Sequence, residues 1–277
     1  MTSSGRPAAG LRGATATGRS FGEEGGLLTY GGYLRLPELL ALAVPQSDPP
    51  AHDELLFITV HQVYELWFRQ LLHELEAVRD AMLADETWRG RHLLRRAHTI
   101  QRQLISQVDI LETMTPQDFL EFRAGLAPAS GFQSVQFREL EFLSGLKDPA
   151  FLARFRSPTE SERERLRRRL GEPSLWDAYL ALLASRDLPV DTDSEVLASL
   201  RLIAADRASH DDLWQLAEDL LTHDELAGLW RARHVAMVER QIGTKSGTGG
   251  STGAPYLRKR VPIRYYPLLW ELRDHLL

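Results

Sequence analysis

Phe57-Ile58-Thr59-Val60-His61-Gln62-Val63-Tyr64-Glu65-Leu66-Trp67-Phe68 is the stretch from which the fold can be read. Around it Leu56, Val60, Val63, Trp67, Leu71 and Leu75 step by three or four, which makes one apolar stripe on a helix. Asp53 stands where an N-cap belongs, and the pattern continues to about Ala84. Phe57 and His61 are four apart and share a face, so an aromatic ring lies beside a titratable imidazole on a surface fit for burial. Taken alone, this histidine reads as a core residue with a hydrogen-bonded ring.

The helical period recurs along most of the chain. Leu93, Ala97, Ile100, Leu104, Val108 and Leu111 predict a second long helix from about Trp88 to Thr113, with His92 and His98 at its surface or boundary. Thr115-Pro116-Gln117-Asp118 opens a shorter one, with Thr as N-cap, Pro at N1 and an acid at N3. On it Phe119 and Arg123 are four apart. Such an arginine either lays its stem on the ring or presents a forked donor to a carboxylate above an apolar floor. Beyond the turn at Ala127–Gln133, Ser130 or a neighbour opens a helix to about Leu143, which Gly145 ends. Further helices are expected at Ser157–Leu170, Leu175–Ser185 after the cap Ser174, Asp193–Ala208 and Ser209–Leu221. Thr222-His223-Asp224-Glu225 matches a capping box for another helix, to about Ile242. Its Ala227, Trp230, His234 and Val238 form one stripe, so a second histidine falls on an inward face. It is a core residue or a neutral nitrogen offered to an iron.

Towards the ends, Pro37 suits the first turn of a short helix at Glu38–Ala43, and Arg264–Leu277 reads as a terminal helix with Leu268, Leu269 and Leu272 inward. Gly247 to Gly253 is a flexible loop. It is not a P-loop, because it lacks GxxxxGK[ST] and no strand precedes it. No stretch alternates with period two, so the fold class is all-α.

Composition narrows the chemistry. The 277 residues are 43% hydrophobic and 26% charged, as in an ordinary globular protein, and the net charge of −5 argues against a nucleic-acid partner. Without cysteine, thiolate nucleophiles, Cys-based zinc sites, iron–sulfur clusters and thiolate-ligated haem are excluded. No apolar run approaches the roughly 18 residues of a membrane span. Residues 1–26 are rich in Gly, Ser, Thr and Ala, and Arg6, Arg12 and Arg19 precede the first acid, Glu23. That pattern fits a targeting peptide or a disordered tail. The lack of an apolar core and of an amphipathic face favours the tail, ahead of a single domain at 27–277 in a cytoplasmic protein.

Read together, several segments resemble one family. They are Leu28-Thr29-Tyr30-Gly31-Gly32-Tyr33-Leu34, Leu56 to Phe68, Thr113-Met114-Thr115-Pro116, Phe122-Arg123, Pro128-Ala129-Ser130-Gly131-Phe132-Gln133-Ser134, Trp230-Arg231-Ala232-Arg233-His234 and Ile242 to Gly253. In this order they resemble the tryptophan 2,3-dioxygenase family. The segment Leu40-Ala41-Leu42-Ala43-Val44 departs from it, lacking the Gln that often precedes the family's Pro-rich connector.

The resemblance implies a helical-bundle domain enclosing haem b, in an intertwined homotetramer. It implies opening of the indole ring of L-tryptophan with O2 as co-substrate, giving N-formyl-L-kynurenine. The alternative is a homologous haem monooxygenase that inserts one oxygen into tryptophan or a methylated tryptophan. Among the residues, it makes His234 the proximal iron ligand and His61 the distal histidine beside the indole N–H. Phe57 would pack on the indole and Phe119 complete the apolar wall. Arg123 would bind the carboxylate, and Thr248 would meet the ammonium and carboxylate from a loop that closes over the pocket. Ser130 would lie near the haem edge. Tyr30, Tyr33 and Leu34 would reach into a neighbouring subunit's site.

Overall fold

Residues 29–154, 159–250 and 252–276 are described by the computed structural model. The expected tail at 1–26, together with Leu28, Ser157, Ser251 and Leu277, lies outside the described residues. Two units divide the chain, Met1–Val44 and Pro45–Leu277.

In the first unit, α1 (Tyr30–Leu34) and α2 (Leu36–Leu40) are short. Thr29 caps α1 by accepting from the Gly32 amide at 3.0 Å. Arg35, at φ 52°, turns the chain between the two helices. Pro37 occupies the first turn of α2, where its missing N–H is no loss, and the helix spans Leu36–Leu40 rather than Glu38–Ala43. This unit shows no buried residue in either helix. Tyr30 and Tyr33 are 77% and 71% exposed, and Leu34, Leu39, Leu40, Leu42 and Val44 are exposed as well.

The second unit contains α3 (Glu54–Leu83), α4 (Thr87–Leu111), α5 (Pro116–Arg123), α6 (Val135–Ser144), α7 (Pro149–Arg154), α8 (Glu160–Gly171), α9 (Leu175–Ser185), α10 (Asp193–Ala205), α11 (Arg207–Ile242), α12 (Ala254–Arg258) and α13 (Pro267–Glu271). Among the described residues there is no strand, and the all-α expectation holds. The central layer is α3 on α4 and α4 on α11. Helices α6 and α9 pack on α3, α8 packs on α6, and α10 and α13 flank α11.

Helix α3 buries Val60, Tyr64, Phe68, Leu71, Leu75 and Val78, while Leu56, Val63 and Trp67 flank that face half-buried. Leu75 and Val78 are fully enclosed, each worth about 1.5–3 kcal/mol of transfer free energy. Two polar locks fix its register on α4. The Tyr64 hydroxyl donates to the Leu104 carbonyl at 2.8 Å, and Gln107 Nε2 donates to the Val60 carbonyl at 3.0 Å. Asp53 makes no side-chain cap. Buried Glu54 instead accepts from the Gln46 and Ser47 amides, both at 2.9 Å, and so ties the preceding connector to the start of the helix.

The capping box at Thr115/Asp118 and the Ser174 cap form as expected, the latter as a box closed by Asp177, and Gly145, at φ 118°, ends α6. Ser130 caps only a single 3-10 turn, Gly131–Gln133, and Ser134 is the N-cap of α6.

Four further expectations are corrected. Helix α11 runs through Thr222 without a break, with its one irregularity at His210, close to the boundary expected before Ser209. A capping box needs free backbone N–H groups. Here the Thr222 hydroxyl donates back to the Glu218 carbonyl at 2.9 Å, and His223 and Asp224 point into the core. Helix α10 ends at Ala205, short of Ala208. His98 is buried, not peripheral, with Nε2 2.9 Å from the Asp219 carbonyl. The terminal segment is a short α13 followed by a 3-10 turn, Leu272–His275. Leu269 and Leu272 are buried but Leu268 is only partly so.

Candidate active site

A cavity of about 340 Å³ opens between α3, α5, α11, the 3-10 turn at Gly131–Gln133 and the Gly-rich loop. Phe57, His61, Phe119, Arg123, Ser130, His234 and Thr248 all line it, so residues spread over most of the chain share one site. Tyr30, Tyr33 and Leu34 belong to the first unit.

One wall is aromatic. The Phe57 ring lies 4.1 Å from the His61 ring, 5.7 Å from Phe119 and 5.6 Å from Phe122. Phe119 meets Phe122 edge to face at 5.5 Å. Such spacings hold flat rings against one another, leaving an apolar surface for a further ring.

His61 Nδ1 lies 2.7 Å from the Phe57 carbonyl one turn back. A carbonyl only accepts, so Nδ1 carries the proton and Nε2 is left as the acceptor of the neutral ring. The ring is accessible from the cavity yet sits deep among protein atoms. Burial lowers its pKa from the ordinary 6.5, while the Phe57 carbonyl and the Glu65 carboxylate oppose that shift.

His234 faces the same cavity from α11, half-buried and stacked on Trp230 with centroids 5.1 Å apart and planes 5° apart. Burial, aided by the charge of His61, pushes its pKa down to about 4, so it is a neutral imidazole at neutral pH. The adjacent Arg233 fixes this turn of α11 on α4, donating to both Glu112 carboxylate oxygens at 2.7 and 2.6 Å and to Asp109 at 2.6 Å.

The Gly-rich loop is fastened to the opposite rim. Arg123 Nη2 donates to the Ser246 carbonyl at 2.5 Å, and the Thr248 hydroxyl donates to the Ala129 carbonyl at 2.6 Å. Gly249 lies so close to Ser130 that a Cβ there would fall 2.5 Å from the Ser130 Cβ. Gly253, at φ 69°, turns the loop back where a Cβ would meet the Lys245 carbonyl at 2.5 Å. Arg123 keeps donors beyond the one given to Ser246, and Thr248 keeps its lone pairs.

A basic end went unnoticed in the sequence. Arg138, Arg231 and Arg260 line it together with Glu141. Glu141 pairs with Arg138 and, at 3.0 Å, with Arg260. Arg138 Nε and Arg231 Nη2 are buried without a partner. Only Arg231 carried a sequence signal, standing three residues before His234 on the same helix.

Any metal here must bring most of its own donors. Cysteine is absent, and among the described residues no three His, Asp or Glu gather as a metal-binding group. A flat apolar group that carries its own metal would find here one neutral imidazole, an aromatic wall and cations at one edge.

The family model for tryptophan 2,3-dioxygenase matches residues 14–196 and 193–276. A protein of Nocardioides sp. named tryptophan 2,3-dioxygenase is 65% identical over 261 residues, covering 93% of this chain and 98% of its own. Proteins of the same name from Herpetosiphon aurantiacus and Myxococcus xanthus are 45% and 42% identical, each across 90% or more of both chains. The chain belongs to the tryptophan 2,3-dioxygenase family.

Proposed function

We propose that this protein is a haem-dependent dioxygenase that opens the indole ring of L-tryptophan with O2 to give N-formyl-L-kynurenine. The observation that carries the reading is the meeting in one cavity of two neutral imidazoles, an aromatic wall and an arginine with free donors. The names of the relatives support the same substrate.

The donor set fits haem b. His234 would offer a neutral nitrogen to its iron, Phe137 and Trp230 would supply apolar contact, and the unpartnered Arg138 and Arg231 nitrogens would serve its two carboxylates. When bound, haem supplies the activation of O2.

The remaining work falls to side chains. Tryptophan is an apolar ring with a zwitterionic end, so Phe57 and Phe119 hold the ring and Arg123 takes the carboxylate through its free donors. Thr248, whose proton goes to Ala129, turns lone pairs to the ammonium. His61 Nε2 accepts from the indole N–H and so orients the ring, and the aromatic wall excludes water. Ser130 sets the rim against which Gly249 packs.

The same proposal includes a cytoplasmic homotetramer in which Tyr30, Tyr33 and Leu34 complete a neighbour's site. Its support is the concentration of exposed apolar residues between Tyr30 and Val44, on a unit that buries none of its own helix residues. Among the described residues no helix is long and apolar enough to cross a membrane.

The test is the product mass from L-tryptophan and isotopically labelled dioxygen with the reduced, haem-loaded protein. Gain of two labelled oxygens with ring opening is expected. Gain of one, with the ring intact, would replace the reading with monooxygenation.

A further inference from the structure

His223 and Asp224 do not cap a helix, yet both are buried, at 4% and 0% exposure. Asp224 Oδ2 accepts three N–H groups from the C-terminal segment: Tyr265 N at 3.0 Å, Tyr266 N at 3.2 Å and Trp270 Nε1 at 2.9 Å. Among the described residues no lysine or arginine forms an ion pair with Asp224. The three N–H bonds on Oδ2, with the nearby Arg231 charge, offset the burial of this carboxylate, whose Oδ1 has no partner.

The seam continues on both sides. The Tyr265 ring stacks near His223, at 5.7 Å, and under the Arg231 guanidinium, at 4.9 Å. Arg231 Nη1 donates to the Ile263 carbonyl at 2.8 Å. His223 is held in turn, with Nε2 2.9 Å from the Ser144 hydroxyl and Nδ1 3.0 Å from the Gln101 side-chain oxygen. The segment so fastened has, just upstream, Tyr256, Leu257 and Arg260, which form part of the cavity wall.

We infer that Asp224 is a positioning residue: it anchors Tyr265, Tyr266 and Trp270, and through them holds the 254–266 segment in place as a wall of the cavity. It touches neither the cavity nor any reacting group. Its effect reaches the site only through the backbone that it pins. Alanine at this position would strand two buried donors and the half-buried Trp270 Nε1, and the least costly relief is for the segment to lift away.

The inference about binding rests on the haem reading above; the anchoring does not. The test compares wild-type holoenzyme with Asp224→Ala and the near-isosteric Asp224→Asn. It reads hydrogen exchange along the chain and the rate of haem transfer to apomyoglobin. In Asp224→Ala, amides of 254–266 should exchange about tenfold faster or more while those of α3 and α4 keep their protection, and haem should leave about tenfold faster. Asp224→Asn, whose amide oxygen still accepts, should fall between. If Asp224→Ala does not fold, Asp224→Asn is judged on the same pattern.

Unchanged exchange at 254–266, or equal acceleration throughout the chain, would overturn the anchor. Local release with unchanged haem loss would overturn the link to the cavity. Wild-type protein that takes up no haem would refute the haem reading instead, and the exchange pattern would still decide the anchor.

Discussion

Replacing Gly249 by alanine tests how tightly the Gly-rich loop must sit on the rim of the site. The new Cβ would lie 2.5 Å from the Ser130 Cβ and 2.9 Å from its Oγ. Carbon atoms reach their contact minimum at about 3.5–4.0 Å, so the loop must retreat by about 1 Å. The Thr248–Ala129 hydrogen bond, now 2.6 Å, would stretch to about 3.6 Å and cease to be one. The loop loses about 1 kcal/mol with that bond and about 1–3 kcal/mol in strain. The strain is relieved by partial release of the loop, which leaves the helical core untouched. The expectation is a kcat/KM for L-tryptophan lowered by about 10- to 100-fold, with a denaturant midpoint close to wild type. The double variant Gly249→Ala/Ser130→Gly removes the opposing Cβ and should recover most of the loss, apart from the small cost of the lost Ser130 cap. A kcat/KM within twofold of wild type for Gly249→Ala, or no recovery in the double variant, would refute the argument.

Three further outcomes are expected. Arg123→Leu should raise KM for L-tryptophan by about 10- to 100-fold with the haem spectrum unchanged, since charged hydrogen bonds contribute about 1.5–3 kcal/mol; a normal KM would remove Arg123 from the carboxylate. For pH, the proposed role of His61 needs its neutral form, and its pKa is lowered from 6.5, so activity should be level near neutrality and fall on the acid side. Glu65 opposes the lowering, so Glu65→Gln should move the acid limb to lower pH, and a limb that moves upward would contradict the assignment. Buried His223, pushed down to about 3 by burial, binds a proton more readily unfolded than folded. Its contribution is fully present above pH 6.5 and is lost as pH falls towards 3, by up to about 1.4 kcal/mol per pH unit. Urea midpoints from pH 7 to 4 should therefore decline less steeply in His223→Gln, and identical slopes would refute the linkage.

Several features were legible in the chain because each depends on neighbours within one turn or on local chemistry. The helical period of α3 and α4 follows from apolar residues three and four apart, the Thr115 capping box from a hydroxyl and a carboxylate three residues on, and the Ser174 cap from a hydroxyl at the helix start. The candidate site residues came from the family resemblance rather than from local spacing, and the fold brings Phe57, His61, Phe119, Arg123, Ser130, His234 and Thr248 to one cavity.

What the chain alone did not decide is where local signals compete with distant partners. Thr222-His223-Asp224-Glu225 has the letters of a helix start, but the N–H groups that Asp224 serves come from Tyr265, Tyr266 and Trp270, about forty residues away. His98 looked peripheral on α4 until α11 covered it and offered the Asp219 carbonyl. The basic end of the cavity draws Arg138 from α6, Arg231 from α11 and Arg260 from beyond α12. No spacing rule links them, because helix periodicity relates residues along one axis, whereas a buried charge is settled by whichever partners the packed helices bring within hydrogen-bond reach.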